Sequence, residues 1–357
     1  MSHIRNGERG ESAWSGRSRA RPLRALLTAA GVGVFLYVVY RMGWRTILDN
    51  IAQFGAWFVV ISLLQVVWVV LQAASWYTIQ NGLFHRAGFL SFVRIKIISD
   101  TMNTVLPAAN LGGDAMRAFL IKPRIPLKEG VAGIMVDKAV ESLAGVLFMA
   151  FGILIPVVFV PIPRVLLVPA GLSLLVLLAA VALLVLFQFR GFYRSATNIF
   201  GWIPAVRRWL HKNEEWLRVL DDHMRRSYLT GRTRIPLATG LHLMARLVGV
   251  LEVLVVLRVL HQPVTYLGAW FISAAVTIAN TVLFFVPGHW GVQEGASVLV
   301  MKAMSFSGSA GLSLAVIRRI RRLFLIGFGL LLLHLDEGIP PADAMSSASD
   351  IPLLRKR

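Results

Sequence analysis

The sequence predicts an all-α polytopic membrane protein with about six to eight transmembrane helices and two inverted repeat units that contain broken or re-entrant helices. The 357 residues are 56% hydrophobic, and the mean hydropathy is +0.67. Several apolar runs reach the ~20 residues that a membrane-spanning helix needs. Residues 285–295 interrupt one long apolar stretch with a proline, three glycines and a carboxylate. A helix breaks at membrane depth only where protein or a water-filled cavity satisfies the freed backbone groups.

A second interruption of similar composition supports the repeat. The residues Asn-Thr-Val-Leu occur at 103–106 and again at 280–283, shortly before Pro107 and Pro287. Each proline is followed, after glycine, by a carboxylate seven residues later (114 − 107 = 7 and 294 − 287 = 7): Asp114 and Glu294. We interpret the two stretches as one unit that is present twice. The alternative for the second stretch is a water-exposed turn between two ordinary spans.

The apolar runs are assigned in chain order. Residues 1–22 are polar, arginine-rich and expected to be disordered, and residues 336–357 form a tail. Between them, residues 23–335 form the integral membrane domain. Its first run lacks a small-residue cleavage site, so a retained anchor is expected. Together with this anchor there are eight segments: the anchor, a second span, a hairpin re-entering from the cytoplasm, an outward span, an inward span, an outward span, a second broken unit and a last inward span. In this order they are Leu23–Tyr40, Phe54–Ile79, Phe92–Ile121, Gly130–Val160, Val165–Phe189, Ile235–Leu260, Tyr266–Phe306 and Gly311–Leu335. The second unit is also long enough for its first part to span fully.

The charge of the chain is concentrated between the apolar runs. There are 37 Lys+Arg against 18 Asp+Glu, a formal net charge of +19. The positive-inside rule explains this distribution without nucleic acid, so no nucleic-acid partner is expected. The same rule places both termini and residues 190–234 in the cytoplasm. The expected location of the spans is a bacterial inner membrane. Cysteine is absent, which excludes disulfides, thiolate catalysis and cysteine-based metal sites.

Residues 190–234 form the longest polar insertion, which is strongly basic. Trp202, Trp209 and Trp216 recur every seven residues, with leucines near the same helical face and arginines between them. This pattern predicts an amphipathic helix. Such a helix lies either on the anionic cytoplasmic leaflet or against the underside of the helical bundle.

Ionisable residues inside the apolar runs are the candidate functional groups, because such groups are costly in lipid. Arg318, Arg321 and Arg322 share one helix face, and guanidinium pairs bind phosphate well. If this helix is only half a span, the arginines instead lie at an interface. Asp137 and Glu141 share another face, and we expect one of them to pair with the arginines, with Glu294 as the next candidate. Mutual neutralisation between helices is the alternative to a functional role.

No enzyme signature is present: the chain has no phosphate-binding loop, no His-Glu-x-x-His and no Gly-x-Ser-x-Gly. We therefore expect neither enzymatic activity nor a cofactor or metal.

The motifs resemble a known family. Leu106-Pro107 with Gly112-Gly113-Asp114 and Arg117, the segment Val286–Gly295, and the late helix Leu314–Arg322 are similar to the flippase-like integral membrane family. That family shares its fold with the transmembrane part of lysylphosphatidylglycerol synthases. The form Gly-Val-Gln-Glu-Gly looks closest to its hopanoid-associated branch. The resemblance covers residues 23–335 and implies lipid translocation without an aminoacyl-transferase domain.

The sequence and the resemblance together predict a flippase-like protein that moves or binds an amphipathic lipid (a phospholipid, isoprenoid or hopanoid) between leaflets. The expected partners are membrane lipids with an anionic or polar headgroup, with lipid-biosynthesis enzymes as further candidates. The expected headgroup contacts are Asp114, Arg117, Pro287, Glu294, Arg318, Arg321 and Arg322. The alternative is a non-transporting membrane scaffold for lipid-modifying enzymes. A membrane-embedded transferase lacks any recognisable catalytic set.

Overall fold

The fold is entirely helical in the part of the chain that the structure describes. The structure is a computed structural model, and it describes Gly33, Leu36, Tyr40 and residues 44–81, 88–105, 111–189, 191–200, 202–282 and 292–335. These residues form thirteen helices: α1 Trp44–Phe54, α2 Ala56–Asn81, α3 Phe89–Val105, α4 Leu111–Ile121, α5 Leu127–Phe159, α6 Arg164–Phe189, α7 Phe192–Phe200, α8 Pro204–Lys212, α9 Glu214–Thr230, α10 Arg234–Val259, α11 Tyr266–Val282, α12 Val292–Ala303 and α13 Gly308–Leu335. The all-helical prediction is confirmed.

Four of the described helices are long and apolar enough to cross a membrane. They are α2, α5, α6 and α10. Helix α13 has 28 residues, enough length for a span, but it carries four arginines in its middle. Helix α11 is apolar and shorter, with 17 residues. The anchor expected at Leu23–Tyr40 falls largely outside the described residues. The protein is therefore a multi-pass membrane protein whose spans differ strongly in polarity.

The spans also differ in how much of their surface the rest of the protein covers. In an 18-residue apolar stretch of each helix, only 6% is buried in α6, against 44% in α5. Val165, Val168 and Leu172 on α6 are more than half exposed. Apolar side chains exposed in this way suit contact with lipid. Helix α6 therefore belongs to the lipid-facing periphery, and α5 belongs to the centre of the bundle.

In two segments of the chain, two shorter helices precede a long one. Helices α3 and α4 precede the long helix α5, and α11 and α12 precede the long helix α13. Helix α4 has 11 residues and thus a length of about 16 Å, too short to cross the hydrocarbon core. The breaks themselves, with Pro107 and Pro287, lie outside the described residues. The inverted relation between the two units stays a prediction.

The two segments exchange contacts. Helix α3 packs on α13, and α11 packs on α5, so the first helix of each segment lies against the long helix of the other. Glycines allow the close approach of α3 to its neighbours. A Cβ on Gly329 of α13 would lie 1.9 Å from Oγ1 of Thr101, and a Cβ on Gly113 of α4 would lie 2.4 Å from the carbonyl oxygen of Ser99. This interlocking packing encloses the polar centre of the bundle.

The basic insertion forms three short helices, not the single amphipathic helix that the tryptophan spacing predicted. Pro204 starts α8, and Asn213 separates α8 from α9. Leu220 and Met224 of α9 are buried in a cluster with Val136 of α5. The apolar side of α9 therefore packs on the bundle's own underside, which is the second of the two predicted alternatives. Burial in the same region raises the pKa of Tyr228 to about 12.

Candidate functional site

A polar cavity of about 500 Å³ lies between the helices of the two segments. This volume is within the range of ligand-binding sites. Helices α2, α3, α5, α10, α11, α12 and α13 all contribute to its wall. Its charged lining consists of Lys96, Asp100, Lys138, Glu141, Arg246, Glu252, Arg318, Arg321 and Arg322. These are six cations and three carboxylates, so the described lining carries a formal charge of 6 − 3 = +3.

The arginine face of α13 is the most strongly charged part of the wall. Nε of Arg318 lies 3.5 Å from a carboxylate oxygen of Glu252 on α10, and Arg321 donates a hydrogen bond to the same carboxylate. Glu252 is almost fully buried. The single carboxylate of Glu252 thus pairs with two guanidinium groups. The expected pairing of Asp137 or Glu141 with these arginines is wrong, because both carboxylates have other partners and Glu252 reaches α13 from a different helix.

Arg322 also lines the cavity, and it differs from its two neighbours. In the described part of the chain it forms no ion pair, and the charges that act on it are chiefly those of the neighbouring arginines, with Glu252 as a more weakly acting carboxylate. A guanidinium group in a low-dielectric site without a counter-charge is costly, so it is retained where water or an anion reaches it. Arg322 is therefore the strongest single candidate for ligand contact.

The opposite wall contains cations that are neutralised locally. Nζ of Lys96 lies 2.9 Å from Asp100, and Nζ of Lys138 lies 3.2 Å from Glu141. Arg246 donates to the backbone carbonyl of Glu141 at 3.5 Å and forms no ion pair with a described carboxylate. Glu141 thus lines the cavity, and its carboxylate pairs with Lys138.

A second charge cluster lies deeper, and its members do not line the cavity. Nη2 of Arg117 lies 2.5 Å from Asp137, and Nε2 of His242 lies 3.1 Å from the other oxygen of Asp137. Arg117 also stacks over the ring of Trp76 at 4.2 Å. All three side chains are buried. Such a fully desolvated cluster joins α4, α5 and α10, so it is part of the framework that holds the cavity. Among the described residues, no group of three or more potential ligands is arranged to hold a metal ion.

The two carboxylates that follow the breaks lie outside the cavity wall and pair with the long helices. Asp114 lies 3.4 Å from Arg117 and 3.7 Å from Lys138 of α5. Glu294 pairs with Arg319 of α13. Lys138 and Arg319 are each the twelfth residue of their long helix (138 − 127 + 1 = 12 and 319 − 308 + 1 = 12). Pro287 falls among the residues that are not described. Neither carboxylate belongs to the lining of this cavity, and Asp114 borders it only through Lys138.

Several cavity residues were missed by reasoning from the sequence. The amides Asn103 and Asn280 both line the wall, at the carboxyl ends of α3 and α11. They begin the matched Asn-Thr-Val-Leu quartets, which were used only as a sign of the repeat. Lys96, Asp100 and Glu252 were visible as charges in apolar segments. Nothing local in the sequence showed that they face one cavity.

The fold and the cavity together define a multi-pass membrane protein in which long and short helices surround a charged interior. The family model of the lysylphosphatidylglycerol synthase transmembrane region matches residues 23–347, which is most of the chain. The chain therefore belongs to that family, and the resemblance seen in its motifs is confirmed. The match does not resolve the hopanoid-associated branch, which stays a prediction. No match was found among curated proteins or among solved structures.

Proposed function

We propose that the protein moves an amphipathic lipid between the two leaflets, with the headgroup in the charged cavity and the tails in the bilayer. Membership of a family of membrane regions from lipid-modifying proteins supports a role in membrane lipid chemistry. The observation that supports lipid movement in particular is the cavity. Its described lining has a net positive charge, and residues near the ends of α3 and α11 contribute to it. Transporters commonly build substrate sites in this way.

The lining of the cavity suits an amphipathic occupant. Beside its charges, the wall contains the apolar side chains of Leu64, Phe148, Val248 and Leu325. A headgroup could exchange its hydration for the guanidinium and amide groups while the first carbons of the tails contact these apolar residues. A free hydrophilic ion would use only the polar part. This division favours a lipid over a soluble solute.

Asp114 and Glu294 are proposed to act at the breaks. Each lies in the first turn of a short helix and neutralises a cation of the long helix that follows. Movement of either short helix would separate such a pair, so the pair can hold one state of the transporter. Asparagine or glutamine at these positions keeps an accepting oxygen and loses the charge.

The proposal is tested by reconstitution in liposomes that contain a fluorescent phosphatidylglycerol. A membrane-impermeant reductant then reports how fast the lipid in the inner leaflet becomes accessible. We expect faster exchange with the protein than in protein-free liposomes. We expect normal abundance and lost exchange for Glu294→Gln and Asp114→Asn. The control is Asp222→Asn, which removes a carboxylate from the exposed face of α9.

Two outcomes would contradict parts of this proposal. If both isosteric variants exchange lipid at the wild-type rate, the carboxylates are structural. If the wild-type protein does not exchange any lipid tested, the scaffold hypothesis leads. In that case the basic helices α7–α9, which expose Trp202 and several arginines, would be the surface for recruited lipid-modifying enzymes. On either hypothesis we propose a bacterial inner membrane location with both termini cytoplasmic, from the distribution of Lys and Arg.

A further inference from the structure

We infer that the cavity binds a phosphate monoester or diphosphate group, which carries two or three negative charges, and that Arg322 is its main contact. The inference rests on the proposed function for the source of that group, a lipid headgroup, but the binding itself is separable from transport. The inference is more specific than the expectation of an anionic or polar headgroup, because it specifies the charge and the chemical class of that headgroup. Three observations support it.

The first observation is the charge balance. Lys96 with Asp100 and Lys138 with Glu141 cancel in pairs. The excess of three charges then lies on guanidinium groups. Arg246 and Arg322 have no described carboxylate as partner, and Arg318 and Arg321 share one. A neutral headgroup would leave this excess without a counter-ion, and a diester phosphate with one charge would cancel only a third of it.

The second observation is the kind of cation that is left over. Guanidinium groups bind phosphate through two parallel N–H···O bonds, whereas ammonium groups act as point charges. Each lysine of the wall is paired with a carboxylate of the wall. The cations of the wall that lack a carboxylate of their own are therefore arginines. Nε of Arg321 is buried and donates to no described acceptor. The cavity thus has free donors of the type and planarity that phosphate oxygens accept.

The third observation is the set of neutral groups around these arginines. Ser273 and Asn280 of α11 line the same cavity, and Asn103 lines it from α3. Thr277 also lines it, but its hydroxyl donates to the backbone carbonyl of Ser273. Hydroxyl and amide groups complete the coordination of phosphate oxygens that the arginines do not reach. Oδ1 of Asn280 is buried without a hydrogen-bond partner, and a rotation of the amide by 180° would place its donating NH2 group at that position. A phosphate with three or four terminal oxygens matches this distribution of donors.

The decisive variant is Arg322→Gln. Because Arg322 has no ion-pair partner among the described residues, its removal orphans no carboxylate, and the variant is expected to fold. Arg322→Lys keeps the charge and removes the planar fork. Arg164→Gln is the matched control, since it removes one arginine from the exposed start of α6, away from the cavity.

Binding is measured with detergent-solubilised protein and three probes. Short-chain phosphatidic acid is the lipid with a phosphate monoester, phosphatidylcholine of the same chains is the zwitterionic control, and inorganic pyrophosphate is the soluble source. We expect the protein to prefer phosphatidic acid over phosphatidylcholine. We expect Arg322→Gln to weaken the binding of phosphatidic acid by about tenfold to a hundredfold, the range for a hydrogen bond to a charged group. Arg322→Lys should fall between, and Arg164→Gln should bind like the wild type.

Each result decides a separate question. Equal binding of both lipids, or unchanged binding in Arg322→Gln, overturns the inference. Binding of pyrophosphate as tight as that of phosphatidic acid supports the phosphate site and identifies a soluble ligand as its source. If phosphatidic acid binds as expected but is not moved in liposomes, the proposed translocation fails while the phosphate site stands. If phosphatidylcholine is moved as fast as phosphatidic acid and binds equally, translocation stands and the phosphate site fails.

Discussion

Replacing Glu252 with glutamine tests whether the arginine face of α13 depends on a single carboxylate. Glu252 is 2% exposed and contacts both Arg318 and Arg321. In Glu252→Gln the side chain keeps its shape and one accepting oxygen but loses its charge. Arg318, Arg321 and Arg322 would then lie on one helix face, and no other described carboxylate pairs with any of them.

The size of the effect follows from the burial of the pair. Removing one partner of a buried ion pair costs about 3–5 kcal/mol, because the remaining charge is left without compensation. The arginines of this face border a polar cavity and keep some 13–14% of their side-chain surface exposed. Water in the cavity lowers the cost, so we expect the lower end, about 3 kcal/mol. This corresponds to a change of roughly a hundredfold in the folding equilibrium.

The assay is unfolding of the purified protein in detergent, followed by tryptophan fluorescence. Glu252→Gln should unfold more readily than wild type, and Glu252→Gln combined with Arg321→Met should recover part of the loss. Glu215→Gln, an exposed carboxylate on α9, is the control and should change little. If the double variant is no more stable than Glu252→Gln alone, then the arginine face is not held by Glu252 and the reasoning is refuted.

Three other predictions follow from the fold. Asp137→Asn should destabilise the protein by about 3–5 kcal/mol, because it leaves Arg117 buried without its closest counter-charge, and unfolding of the variant that also carries Arg117→Met should show partial recovery. Gly113→Ala should lower the yield of folded protein, since its Cβ would lie 2.4 Å from a backbone oxygen of α3, whereas Gly171→Ala, with no atom within 4 Å, should leave the yield unchanged. A single cysteine at Asn198 should react with an impermeant thiol reagent only after the cytoplasmic side is opened. Labelling in intact cells would refute the orientation.

The spans were predictable because each one is formed by a continuous apolar stretch of the sequence. The expected spans Gly130–Val160 and Ile235–Leu260 correspond to α5 and α10 within a few residues at each end. Apolar length decides such helices, and proline or glycine near their ends decides where they stop. The basic insertion was predicted less well. The spacing of its tryptophans is regular along the sequence, but Pro204 and Asn213 divide that sequence among three helices.

The partners of the intramembrane charges could not be predicted in the same way. Helical spacing showed that Arg318 and Arg321 share a face, because that is a property of one helix. Which carboxylate contacts that face depends on how α10 packs against α13. The periodicity of one helix does not predict how it packs against another. Glu141 and Glu252 both lie on apolar helices and look equivalent in the sequence, but only Glu252 reaches the arginines.

Helix α10 contributes to both charge clusters, and this has a mechanical consequence. His242 holds Asp137 of α5, and Glu252 holds the arginines of α13. The two side chains are ten residues apart (252 − 242 = 10), about 15 Å along one continuous helix. A rotation of α10 about its own axis that withdraws Glu252 from α13 must also turn His242 relative to α5. In such a rotation the contacts of α10 with α5 and with α13 would change together, because one continuous helix carries both His242 and Glu252.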